Sequence, residues 1–170
     1  MRTKKFFASA AKAAFALAAA MMMSTAFTSC SKDNDDKPEP KFTNTVTIDG
    51  VEKPIVKAEY KDMLNGNYAL YLYLSADGKE RVRFELNKDL HITGKPVDLT
   101  KKEEKHDGKW YWVINYYGAD GKRIIHTYGI PGNSIPVFTT GTLTMSGSPD
   151  GTINIVLKNG RVKGEDNKEH

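Results

Sequence analysis

Cysteine occurs once in the 170 residues, at Cys30. One thiol excludes an internal disulfide and every paired-cysteine metal or redox motif. No apolar run approaches the roughly 20 residues that a bilayer-spanning helix needs; the run over residues 13 to 23 ends in small and polar side chains. From residue 42 onward no stretch keeps a 3.6-residue period, so amphipathic helices are not expected. Catalytic signatures are missing too: there is no G-x-S-x-G, no H-E-x-x-H and no phosphate-binding loop. The four histidines, His91, His106, His126 and His170, share no ligand spacing. His126, alone in a strand beside Tyr128, reads as structural, and the pair Glu103 and Glu104 lies in a charge run of the kind that forms a wet surface. The expectation is a protein without catalytic residues, metal or cofactor, and not an enzyme.

What is present begins at the N-terminus. Arg2, Lys4, Lys5 and Lys12 are the only charges before Cys30, and they precede the apolar run and then a small, polar segment. That order is the n-, h- and c-region order of a secretory signal peptide. A transmembrane anchor fails on length, and its following flank is acidic. The ordinary signal peptidase requires small residues in an A-x-A pattern, and cleavage before Cys30 would put the large Phe27 in that pattern. "FTSC" instead resembles the lipobox of bacterial lipoproteins, with Phe27 where Leu is usual. The resemblance implies cleavage after residue 29 and a diacylglycerol thioether on Cys30; two or more acyl chains hold a protein to a membrane far more firmly than one. A small buried core residue is the other reading of a lone cysteine.

"SKDNDDKPEPK" follows, with Asp33, Asp35 and Asp36 directly after the cysteine. In Bacteroidetes lipoproteins such a stretch resembles the export signal that sends the protein to the outer face of the outer membrane. A calcium loop is excluded, because Lys37 stands where the D-x-[DN]-x-[DN]-G pattern needs a third ligand and no glycine follows. Residues 30–41 then form a flexible acidic, proline-containing tether.

Cleavage also removes a charge bias. The chain has 25 Lys and Arg against 21 Asp and Glu, and residues 1–29 hold four of the bases and no acid, leaving 25 − 4 = 21 against 21. A net charge of zero gives no electrostatic footprint for nucleic acid.

From Phe42 the chain consists of short alternating runs punctuated by Asp-Gly, Pro-Asp-Gly and Asn-Gly, the pattern of hairpins. "NTVTI" and "VEKPIV" flank Asp49-Gly50; "YALYLYL" and "RVRFELN" flank Asp77-Gly78; "KWYWVINYY" and "RIIHTYG" flank Asp120-Gly121; "TGTLTMSG" and "TINIVLK" flank Pro149-Asp150-Gly151. Asn159-Gly160 reads as a further turn. A-D-G-K occurs at residues 76–79 and 119–122, as a duplicated hairpin or one common turn used twice. These features predict a single all-β domain over 42–164, an antiparallel sandwich or calycin-like barrel of about eight to nine strands, with a polar tail over 165–170. The stretch 88–109 reads as a solvated charged loop with one helical turn conceivable over 99–106; it could cover one end of the domain.

Strand parity assigns Val82, Phe84 and Leu86, Leu143 and Met145, and Ile153, Ile155 and Leu157 to the core. Two strands lack a polar face: Tyr71 and Tyr73 oppose Leu70, Leu72 and Leu74, and Tyr111 and Tyr117 oppose Trp110, Trp112, Ile114 and Tyr116. Trp110 and Trp112 are assigned to the core. Tyr71, Tyr73, Tyr111 and Tyr117 are the candidate ligand-binding residues, as platforms for sugar C–H faces or a partner protein; ordinary sheet filling is the alternative.

Residues 44–164 as a whole resemble small β-rich, surface-exposed Bacteroidetes lipoproteins whose domains open with "TIDG" and close with a "TGTLTM" and "TINIVL" hairpin. The resemblance implies an all-β fold and no established activity. The expected function is that of an outer-membrane lipoprotein facing the cell exterior, anchored through Cys30 and carrying a non-catalytic binding or adhesion module for a glycan or another envelope protein. The competing expectation is a structural accessory subunit of an outer-membrane assembly with no small ligand.

Overall fold

The computed structural model describes residues 16–17 and 44–170. The signal peptide as a whole, Cys30, the stretch with Asp33, Asp35 and Asp36, and the tether lie outside the described residues.

Eleven strands form three sheets, antiparallel throughout except for the two-residue β1. β2 (Thr45–Ile48) and β3 (Val51–Pro54) make a two-stranded hairpin. β4 (Lys57–Asp62), β5 (Asn67–Tyr73), β6 (Arg81–Asn87), β8 (Val113–Tyr117) and β9 (Arg123–Tyr128) make a five-stranded sheet in the order β4-β5-β6-β8-β9. β7 (Pro96–Asp98), β10 (Thr140–Gly147) and β11 (Ile153–Arg161) make the third, where the two-residue β1 (Ala16–Leu17) lies parallel to β11. No sheet closes into a barrel, so the architecture is the sandwich and not the calycin-like alternative. The count exceeds the expected eight to nine because β1, β4 and β7 add to the foreseen runs, while β11 continues through Asn159-Gly160 as one strand. Among the described residues no helix is long and apolar enough to cross a membrane.

The elements follow from their sequences. At Asp49-Gly50 both residues have positive φ, 52° and 76°, the geometry that continues the twist of a two-residue hairpin. The two A-D-G-K segments use one turn twice: the Asp carboxylate accepts the N–H two residues on, and Gly78 and Gly121 supply positive φ. Alternation holds as well. Leu70, Leu72, Val82, Phe84, Leu86 and Ile114 face one way and join Leu143, Met145, Ile153 and Ile155 in one buried cluster between the sheets.

Four local expectations are corrected. Asn159-Gly160 does not turn the chain: β11 runs through it to Arg161, with a register shift opposite Thr140 and Thr142. Asn159 has positive φ, and a Cβ on Gly141 would stand 2.8 Å from the Gly160 Cα, so the pair forms a bulge. The 88–109 segment is not simply solvated. It opens with a one-turn helix, α1 (Lys88–His91), capped by the Asn87 side chain, and contributes β7; no helical turn forms over 99–106. Leu99 is fully buried, and Glu103, expected on a wet surface, accepts from His91 Nε2 at 2.6 Å and from the Trp112 N–H at 3.2 Å. Trp110 is half-buried and outside the core cluster, because it precedes β8, with its N–H donated to Asn67. Residues 165–170 are polar yet not a loose tail: Val162 and His170 exchange backbone hydrogen bonds, and the Glu165 N–H donates to the Ile124 carbonyl.

The β2–β3 hairpin belongs to neither large sheet. Lys53 pairs with Glu80, whose carboxylate also accepts from the Tyr116 hydroxyl at 2.6 Å. Burial raises the Glu80 pKa, and these two partners more than offset it, so it lies below the ordinary carboxylate range. At the other end the His170 ring bridges Asp49 at 2.9 Å and Asp166 at 3.0 Å. Ion pairs at both ends and the packing of Val46 and Ile48 on the core, not a strand ladder, hold this hairpin down.

Candidate functional site

The outward face of the five-stranded sheet gathers what strand parity leaves over. Pairing aligns Lys57, Tyr73, Arg81, Tyr117 and Arg123 in one row across the strands, and Glu59, Tyr71, Arg83, Asn115 and His126 in the next. Tyr71 and Tyr73, two residues apart on β5, stack with ring centroids 6.3 Å apart and planes 13° from parallel. Each tyrosine carries a cation: Lys57 and Lys61 ammonium groups lie 5.4 Å from the Tyr73 and Tyr71 centroids respectively, Arg83 lies 5.7 Å from Tyr71, and Arg81 sits 4.0 Å over Tyr117. Such contacts hold the flat faces in place while their edges stay wet.

Most polar groups on this face are paired with one another. The Tyr73 hydroxyl donates to Glu59 at 2.9 Å, and Lys57 meets the same carboxylate at 2.5 Å. Hydrogen bonding from Lys57 leads in holding the Glu59 pKa low, while burial and then Glu59 push the Tyr73 hydroxyl up. Arg83 pairs with Glu85, and its Nε is buried without a partner. His126 Nδ1 lies 2.6 Å from the Asn115 amide oxygen, and burial, then the nearby Arg123, lowers its pKa. Burial does the reverse to Tyr128, raising its hydroxyl.

Beside Tyr73 the face deepens into a shallow pocket of about 410 Å³. Val56 and the Tyr73 ring form its apolar walls, and Lys57, Ser75 and Asp77 its polar ones; the ring lies against Gly78, where a Cβ would stand 3.5 Å from it. The Asp77 carboxylate accepts from the Ser75 hydroxyl at 2.7 Å, which leads in lowering its pKa and keeps it ionised. An aromatic wall next to a carboxylate, a hydroxyl and an ammonium group can stack on an apolar ring face while bonding the hydroxyls at its edge.

Of the four tyrosines expected at a site, Tyr71, Tyr73 and Tyr117 share the two rows; Tyr111 does not. Its ring stacks on His106 at 3.9 Å, and its hydroxyl donates to the His106 carbonyl at 3.0 Å, so it closes a loop. Parity omitted the cations. Arg81 and Arg83 were legible as the wet side of "RVRFELN", but only the cross-strand register sets them beside the tyrosines. His91, Glu103 and His106 form a separate cluster with His91 fully buried. Among the described residues no group of three or more His, Cys, Asp or Glu is arranged to hold a metal ion. No protein-family model, curated protein or solved structure matches the chain.

Proposed function

We propose that the chain is a lipid-anchored outer-membrane protein, displayed on the cell exterior, whose β-domain binds glycan through the Tyr71–Tyr73 face. The observation that carries the binding half is the pocket beside Tyr73, where a flat ring and three polar side chains converge next to a second, stacked tyrosine. The anchoring half rests on the order of charge, apolar run and "FTSC" before Cys30, and the address on Asp33, Asp35 and Asp36. Nothing in this reading requires a cofactor or catalysis.

A glycan-array screen of the protein tests the first half: Tyr73→Ala should abolish any hit that the wild type gives, and a blank array for the wild type refutes glycan binding. Metabolic labelling with a fatty-acid analogue tests the second. Label should be lost with Cys30→Ser; a labelled variant removes the lipobox reading. Replacing the three aspartates with alanine should keep the label and lose digestion by protease added to whole cells.

One observation favours the structural accessory instead. β4 is a six-residue edge strand paired on one side only among the described residues, and its hairpin tip exposes Met63 and Leu64 at 47% and 72%. Bare edges with apolar tips invite another chain. Co-purification of a stoichiometric envelope protein, lost when Met63 and Leu64 are replaced by Ser, would identify that role.

A further inference from the structure

Beneath the β2–β3 hairpin, between the two larger sheets, lies a cleft of about 910 Å³. Phe84, Ile114, Tyr116 and Ile125 line it on the side of the five-stranded sheet, and Phe138 and Leu157 on the other. Val46 and Ile48 of the hairpin complete the walls. Protein interiors leave few voids larger than a water molecule, and an apolar cavity of about 150 Å³ already takes up benzene. This cleft is several times that size.

Its chemistry narrows the occupant. The Tyr116 hydroxyl is committed to Glu80, and the Thr140 hydroxyl at the mouth to the Asn159 carbonyl at 2.6 Å. Thr47, Thr142 and Asn159 also line it, but the side chains that meet across it, Phe84, Ile114, Ile125, Phe138 and Leu157, are apolar, which suits a hydrocarbon better than a sugar or peptide. The charges at the mouth are mostly satisfied: Arg161 pairs with Glu169 at 2.6 Å, and His170 with Asp49 and Asp166. Lys158 lies at the rim on the outward row of β11, one residue before the bulge; it is exposed and has no ion pair among the described residues. An apolar trench with one unspent cation at its edge matches a long chain ending in an anion.

We propose that this cleft binds an aliphatic carboxylate, a fatty acid, with its chain between the sheets and its head group at Lys158. The β2–β3 hairpin is the way in, since side chains alone, the ion pairs at its two ends with Val46 and Ile48 between them, and no ladder, fasten it to the sheets. The site is distinct from the tyrosine face, which lies on the opposite side of the five-stranded sheet.

The test uses the full chain carrying Cys30→Ser, so that no acyl group can be added at its only thiol, and a dansyl-labelled undecanoate as probe. Saturable fluorescence enhancement is expected at micromolar concentrations, reversed by oleate. Ile48→Trp, which fills the cleft from the hairpin, should lose probe binding while a thermal melt confirms folding. Lys158→Glu alters an exposed side chain and keeps the fold; it should weaken oleate displacement by about fivefold or more and leave oleyl alcohol displacement unchanged. Absence of saturable binding by the wild type overturns the proposal. So does a folded Ile48→Trp that binds like the wild type, or a Lys158→Glu that affects oleate and oleyl alcohol equally.

Discussion

The five-stranded sheet has two faces made from the same strands, and they obey different physics. Inward, Leu72, Val82, Tyr116 and Ile125 form one cross-strand row, and each is at most 9% exposed. One residue further along, Tyr73, Arg81, Tyr117 and Arg123 form the matching outward row, each half-buried or exposed. The inner row is held by exclusion of water, and by fit where it meets the opposite sheet and not the cleft that Val82, Tyr116 and Ile125 line. The outer row is held by rings and charges that cover one another, so it tolerates loss of a member and keeps its edges available. A sheet can therefore be rigid on one side and receptive on the other with no change in backbone.

Phe84→Ala should separate the faces most. The ring is 3% exposed, and its truncation is expected to destabilise the domain by about 3–5 kcal/mol in a urea melt. A loss below about 1 kcal/mol would mean that the inner face is loosely packed.

Gly129→Ala tests the same face in the opposite sense. A Cβ there would lie 2.5 Å from the Trp112 indole nitrogen, so one added methyl should cost about 1–3 kcal/mol through overpacking. A neutral result would show that Trp112 moves freely.

Tyr73→Ala removes half of a stacked pair on the wet face. The expected loss in the same melt is about 1 kcal/mol, far below that of Phe84→Ala, accompanied by complete loss of the proposed glycan binding. Equal losses for the two variants would erase the distinction between the faces.

The smallest effect is one of pH. His126 sits on the outer face near Arg123, Arg83 and Glu165, and its pKa in the folded chain is lowered from 6.5. The unfolded chain therefore takes up its proton first as pH falls. Stability from this residue is complete above 6.5, declines below it, and levels off under the folded pKa. His126→Gln should flatten that part of the stability profile; an unchanged slope assigns the dependence elsewhere.

The strands and their inner residues were legible because parity and turn chemistry are local. Phe84 between Arg83 and Glu85 needs no knowledge of the rest of the chain. Asn159-Gly160 misled because the same dipeptide that suits a two-residue turn also suits a bulge, and only the opposing Gly141 decides between them. Trp110 was misplaced in the core, and Tyr111 falls outside the two tyrosine rows, because alternation was extended past the start of β8 into a segment held by Asn67 and His106. The 88–109 stretch hid its order in contacts between distant residues, such as Lys102 Nζ donating to the Tyr128 and Ile135 carbonyls at 2.7 and 2.5 Å. The cleft was invisible for a related reason. A row of apolar residues reads alike whether it meets another row or faces a gap.

The separateness of the β2–β3 hairpin has a mechanical consequence. Tension applied just ahead of Asn44 reaches β2, which pairs only with β3, before it reaches either larger sheet. A hairpin pulled from one end opens one rung at a time, whereas strands sheared along their length resist together. The fold thus has a built-in order of yielding, hairpin first and sandwich later, and an optical trap pulling on handles at residue 44 and the C-terminus should record a short, low-force extension before the main rupture. A protein held by its N-terminus against flow would respond at this hinge, uncovering the space between the sheets while the sheets themselves stay intact.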